Sequence, residues 1–384
     1  MSTNIFLNSL FILMGILSCW SCGNNKEEHV AQEISTVLRI PPTEGNPRNS
    51  EGDFIELEDG SILFIYSHFT GGSSDYAHAE LRGRVSIDRG RNWTAVDKVI
   101  LSNEGGLNTM SVSLLRLNDG RIALFYARKN SHEDCRPMMR ISEDEGMSWS
   151  DPVNCIPEKI GYYVLNNDRV IQLENGRILL PVSLHQSPTK EWSNTGLIQC
   201  YYSDDYGVQW QAGFFLENPD SAMLQEPGLI KLKNGRLMMF MRTQEGTQYV
   251  SFSDDGGINW TPARSSNIVS PLSPASIERI PSTGDLLLVW NNNDGTKKEI
   301  EGKRTPYNLA ISKDEGRSWE MIKVLEDNPE GWYCYTAIDF VDDQVLLGHC
   351  AGLRKDGRNG LEETDITLID LEWIYNANNG VEYE

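Results

Sequence analysis

The residues of this chain that could do chemistry sit in single-copy segments. Gln225-Glu226-Pro227-Gly228-Leu229-Ile230 leads into a turn at Gly235 and then to Met241-Arg242. A glutamate enters one apolar run and an arginine leaves the next, and strand alternation across the intervening turn can bring both side chains to one end of a hairpin. A carboxylate there can exchange a proton, and a guanidinium offers a planar fork that grips a carboxylate at two points. Gly331-Trp-Tyr333-Cys-Tyr335-Thr-Ala-Ile338 sets two phenols ahead of another hairpin. A phenol becomes a nucleophile when a neighbouring base takes its proton. A glycine-rich loop, Gly71-Gly72-Ser-Ser-Asp75-Tyr76, carries an acid, and further arginines stand at Arg39, Arg48 and Arg304. Each has a plain structural alternative: solvated strand-end arginine, loop acid, core tyrosine or turn aspartate.

Repeated elements must position these residues. Ser-x-Asp-x-Gly-x-x-Trp occurs five times, starting at Ser86, Ser142, Ser203, Ser253 and Ser312, at steps of about fifty to sixty residues. That spacing holds one four-stranded sheet per copy. Interleaved with it are six hairpin signals: LEDGSILFIY, LNDGRIALFY, LENGRILLPV, LKNGRLMMFM, STGDLLLVW and VDDQVLLG. Asp-Gly and Asn-Gly favour turns with positive φ, and the apolar runs favour strands. No long stretch has helical periodicity. The expected fold is all-β, a six-bladed β-propeller in which one blade has lost its box. ITLIDLEWI supplies strands of the last blade and a strand near STVLRI closes it, which removes exposed sheet edges. Five near-identical aspartate turns spread around a ring cannot all serve one site, so the boxes are architecture and not catalysis.

These units resemble the Asp boxes of sialidase-type propellers, and the chain is similar to the sialidase (neuraminidase) superfamily, with BNR/Asp-box repeats and a glycoside hydrolase family 33-like pattern, as a divergent member. The resemblance extends to the single-copy segments. It implies Glu226 as the base that assists a nucleophilic Tyr335, with Tyr333 as the fallback. It implies Asp75 as acid/base, and Arg48, Arg242 and Arg304 as a clamp on the substrate carboxylate. Arg39, in Arg39-Ile40-Pro41, spells the family string but lies far from the first hairpin turn, so Arg48 is preferred and Arg39 held in reserve. A neutral phenol suits such a substrate, because a carboxylate nucleophile would meet like-charge repulsion from the sugar's own carboxylate. The implied activity is exo-glycosidase hydrolysis of terminal acidic sugars, above all α-linked sialic acids, with retention and without metal or organic cofactor. Hydrolysis of another uronic or ulosonic acid, and a non-catalytic glycan-binding propeller, are the alternatives. The chain also departs from the pattern. Gly348-His349-Cys350 stands where a Tyr-Glu pair usually ends the tyrosine hairpin, Glu51 and Asp53 crowd Arg48, and Asn108 and Asp168-Arg169 begin their hairpins like site residues.

A formal charge of −21 excludes a general nucleic-acid binder and requires any anionic ligand to be held by a local arginine cluster. At the N-terminus, Ile5 to Leu17 has the length of a signal-peptide core and LSCWSCGNNKEE resembles a lipoprotein processing site. The expected division is a signal peptide over 1–22, a polar tether over 23–35 and the propeller over 36–384, with lipid on Cys22 or Cys19. An exported bacterial lipoprotein follows, periplasmic or at the cell surface, tethered to a membrane and monomeric, with an acidic glycan as its partner. Cys135, Cys155, Cys200, Cys334 and Cys350 match no metal spacing.

Overall fold

A computed structural model describes Met1 and residues 33–376. The expected signal segment, most of the tether, Cys19 and Cys22 lie outside the described residues. The rest is a β-propeller arrangement of twenty-five strands with one short helix, Leu371–Tyr375. Among the described residues no helix is long and apolar enough to cross a membrane.

Four sheets have four strands each and a fifth has nine, where six separate four-stranded sheets were expected. The nine-stranded sheet arises because Tyr162–Val164 pairs antiparallel with Ile178–Gln186 on one side and meets Cys135–Ser142 in a single parallel pairing, Tyr162 with Cys135, on the other. The closing sheet is built from both ends of the described chain. Ile34–Ile40 pairs antiparallel with Thr364–Asp370, which is followed inward by Gln344–Cys350 and Cys334–Val341. The ITLIDLEWI run is only partly strand. It ends at Asp370, and Leu371, Trp373 and Ile374 of the helix are buried in the core.

The apolar core lies between neighbouring sheets, not at the ring's axis. Phe54, Ile62 and Phe64 of the first sheet pack with Ala337, Leu346 and Ile366 of the last, and Leu179 and Ile198 pack with Leu229, Leu237 and Met239 of the next sheet. Face-to-face packing consumes the strand faces and leaves the inner strand ends free to carry polar groups.

The box at Ser253 is a closed hydrogen-bonded turn. Ser253 Oγ donates to Asp255 Oδ1 at 2.8 Å, the Gly257 and Asn259 amides donate to Ser253 Oγ and Asp255 Oδ1, and the Trp260 indole donates to the Gly257 carbonyl. Gly257 has φ +87°, and a Cβ there would lie 2.9 Å from Leu179 of the preceding sheet, so the box also seats one sheet against the next. Asp255→Ala removes the turn's acceptor and should destabilise the fold by about 1–2 kcal/mol, read by chemical denaturation, while the folded protein's activity or ligand affinity stays unchanged. Unaltered stability would contradict this role.

Candidate functional site

The inner strands of four sheets share one distortion. The pairing register slips between Ser50 and Asp53, Met110 and Ser113, Gln225 and Gly228, and Cys334 and Ala337. Inside each slip one non-glycine residue is left-handed: Glu51 (φ 52°), Ser111 (63°), Glu226 (46°) and Tyr335 (55°). Such a conformation costs about 1–3 kcal/mol per residue, and a β-bulge re-aims the side chain that carries it. All four line one central cavity of about 550 Å³. The chain makes room for the distortion at Gly52 and Gly228, where a Cβ would fall 2.4 Å from the Phe64 ring and 2.3 Å from the Phe240 ring.

Asp75, Glu226, Arg242, Arg304 and Tyr335 all line this cavity. Arg242 donates to Glu226 Oε1 at 2.7 Å, and the Tyr335 hydroxyl donates to the same oxygen at 3.4 Å. Burial would raise Glu226, but Arg242 and Arg304 outweigh it and hold the carboxyl below its ordinary range. Burial and the Glu226 charge push the Tyr335 phenol well up, against Arg304 and Arg242. The resting pair is therefore an ionised glutamate beside a neutral phenol. Arg304 is buried, its guanidinium carbon 5.3 Å from the Tyr335 ring centre and 5.1 Å from that of Trp332. Its Nε and Nη1, together with Arg242 Nε and Glu226 Oε2, are buried without a hydrogen-bond partner.

Arg48 is placed differently from a free clamp. It is fully buried behind the cavity, donating to Asp75 Oδ1 at 2.6 Å, Glu51 Oε2 at 3.1 Å, Ser50 Oγ at 2.9 Å and the Ser73 carbonyl at 3.1 Å. Glu51, which crowds Arg48 in the sequence, is its ion-pair partner. Burial acts to raise Asp75, but its side chain is 59% exposed, and Arg48 and Lys129 hold it ionised below the usual carboxylate range. The Asp75 loop is fixed by Asn108, which donates to the Asp75 and Ala77 carbonyls, and by Lys129, which donates to the Asp75 carbonyl at 2.7 Å. Lys129 lines the cavity and went unnoticed in the sequence, where LFYARKN reads as an ordinary strand end.

Two further candidates do not line the cavity. Arg39 lies on the outermost strand of the closing sheet, its side chain 59% exposed, paired with Asp365 at 2.8 Å and with Glu363, beside a separate pocket. Tyr333, the fallback nucleophile, precedes the bulge between Cys334 and Ala337, is buried against Tyr307 and lines the Arg39 pocket instead. Asp168-Arg169 and Asp53 tie sheets together. Asp168 accepts from the Ile338 amide, Arg169 donates to the Ala275 carbonyl at 2.7 Å, and Asp53 accepts from the Leu114 and Phe54 amides. No group of three or more His, Cys, Asp or Glu among the described residues could hold a metal, and the five cysteines outside the N-terminal segment are free and buried.

The BNR repeat-like domain matches residues 67–347. The chain belongs to this family. It is a divergent member with sialidases among its relatives. It is 23% identical over 229 residues to a sialidase of Clostridium perfringens, an overlap covering 53% of this chain and 58% of that one. A solved protein of unknown function from Dyadobacter fermentans superposes with a TM-score of 0.70 at 18% identity, covering 88% of this chain and all of that one. A Hadza microbial sialidase superposes at 0.69 and 17% identity, over 86% of this chain and 67% of that one. At such identities the solved structures speak for the fold alone.

The Asp339 carboxyl, close to Asp168, gives a test on stability. Burial and the nearby Asp168 charge raise Asp339 to about 6, although the Phe340 amide pulls the other way. A carboxyl raised on folding favours the folded state below its unfolded pKa, and that contribution is lost as pH rises through about 6. Asp339→Asn should therefore flatten the slope of unfolding free energy against pH between about 4 and 6, relative to wild type. Parallel profiles would contradict the assignment.

Proposed function

We propose that this chain hydrolyses terminal acidic sugars, with α-linked sialic acids as the leading substrate, from glycoconjugates. The observation that carries the reading is the pair of arginines, Arg242 and Arg304, that line the cavity beside a neutral tyrosine that donates to an ionised glutamate. Although the chain carries −21 overall, the cavity lining has four cations, Lys129, Arg242, Arg304 and Arg354, against the carboxylates of Glu51, Asp75 and Glu226. That local excess suits a carboxylate-bearing ligand.

In the proposed reaction Arg242 and Arg304 bind the sugar carboxylate. Tyr335 attacks the anomeric carbon as Glu226 accepts its proton, and Asp75 protonates the departing oxygen. Asp75 then deprotonates the water that releases the sugar, so configuration is retained. Arg48 serves the clamp only indirectly, because Glu51 and Asp75 already occupy its fork. That departure favours a second reading within the same class, a uronic or ulosonic acid other than sialic acid, whose carboxylate is content with two arginines. The curated sialidase relatives and the family membership support the hydrolase class, while binding without turnover would support a glycan-binding propeller.

The proposed architecture is six blades, dividing the nine-stranded sheet at its single parallel pairing into the strands of residues 108–154 and those of residues 162–212. The proposed setting is an exported lipoprotein carrying lipid on Cys22 or Cys19.

The test is release of a fluorogenic aglycone from an α-sialoside, with uronides in parallel. Arg304→Ala should lower kcat/KM by about a hundredfold, the loss expected for one partner of a buried charged contact. Turnover unaffected by this change would refute the clamp. The pH profile has a defined sign. Free Asp75 is ionised at neutral pH and must be protonated to act, so kcat/KM should rise about tenfold per unit as pH falls from 7 towards about 5. A profile flat across that range would remove Asp75 from the acid role.

A further inference from the structure

Trp192 is a large apolar side chain left 47% exposed at the cavity, and it is packed and hydrogen-bonded by its neighbours. Its ring stacks on His185 at 5.3 Å and 23°, and meets Tyr162 edge-on at 5.2 Å and 77°. The indole N–H donates to Asn194 Oδ1, and the Asn194 carbonyl accepts from Gln225, the residue before Glu226. His185 in turn bonds the Ser193 carbonyl and the Ser183 hydroxyl. The loop bearing Trp192 is thus bolted to the strand that bears Glu226, and the indole is exposed by construction.

The aromatic surface is continuous with the proposed acid. Tyr76 follows Asp75 directly, its ring centre lies 6.5 Å from that of Tyr162, and Lys129 sits 4.9 Å and 5.3 Å from the two rings. Tyr76, Tyr162 and Trp192 form a wall running from Asp75 outward, with buried Tyr162 at its middle and half-exposed Trp192 at its end. The charged groups Arg242, Arg304 and Glu226 gather around Tyr335. An acid that protonates a leaving oxygen faces the leaving group, so whatever is attached to the acidic sugar lies along this wall. A pyranose ring has a C–H-rich face, and the electron-rich face of an indole attracts such polarised C–H bonds.

We infer that Trp192, backed by Tyr162 and His185, is a stacking subsite for a neutral hexopyranose linked to the acidic sugar, which makes the substrate an oligosaccharide and not an isolated acidic glycoside. This inference rests on the hydrolase reading for its orientation.

The experiment compares wild type, Trp192→Ala and Trp192→Phe on 3′-sialyllactose and on methyl α-sialoside, by calorimetric binding to each and by release of free sialic acid. The expected result is that wild type binds the lactose conjugate about tenfold more tightly. Trp192→Ala should erase that advantage through KM while leaving kcat and the methyl glycoside unchanged, and Trp192→Phe should restore most of it. Equal loss on both ligands would reduce Trp192 to a structural residue and overturn the subsite, as would no loss on either. If wild type turns over neither substrate, the hydrolase reading fails and the subsite is judged on binding alone: equal affinity for the two ligands, or none for either, overturns it.

Discussion

The left-handed bulge in the inner strand is the constraint on which the rest of this molecule depends. A regular strand would send alternate side chains into the sheet-to-sheet core and leave only backbone at the axis. By inserting one residue with φ near +50°, the chain turns Glu51, Ser111, Glu226 and Tyr335 out of that alternation and into a shared cavity. The strain is bearable because the flanking sheets over-determine each position, with Phe64 and Phe240 closing over the adjacent glycines. The proposed nucleophile and base thus come from equivalent places in two different sheets, 109 residues apart in sequence, yet Tyr335 and Arg242 meet at one oxygen of Glu226.

Charge is sorted along the axis in the same way. Cations outnumber carboxylates in the cavity lining, while Asp168, a carboxyl whose pKa is raised, ties one sheet to another. Burial raises the pKa of Asp168 and Asp339, whereas Arg242 and Arg304 lower Glu226 against its burial, and Arg48 and Lys129 lower Asp75. Neighbouring charge, more than depth, separates the acids suited to chemistry from those that hold the ring together.

Much of the architecture was legible because it is written as residue types at fixed spacing. Ser253, Asp255, Gly257 and Trp260 each have one job that few other residues can do, and the strand at Ile34–Ile40 does close the last sheet. The bulges were not legible. Glu, Ser, Glu and Tyr carry no left-handed preference of the kind that marks glycine or asparagine, so strand alternation alone does not show which of Tyr333 and Tyr335 enters the cavity. The choice between Arg39 and Arg48 could be made by distance from the first turn, but the capture of Arg48 by Glu51 and Asp75 could not. Lys129 was missed because its importance comes from the Asp75 loop folding over it. The helix after Asp370 was hidden by apolar residues that suit a strand equally well.

The most direct measurement is covalent trapping at the cavity. Incubation with a 2,3-difluorinated sialic acid slows release of a glycosyl-enzyme intermediate, and peptide mass spectrometry then locates the sugar. An adduct on Tyr335, absent in Tyr335→Phe and abolished by excess unlabelled sialoside, is the predicted result. An adduct on Asp75, Glu226 or any other residue, or substrate turnover with no adduct at all, would contradict the proposed tyrosine chemistry.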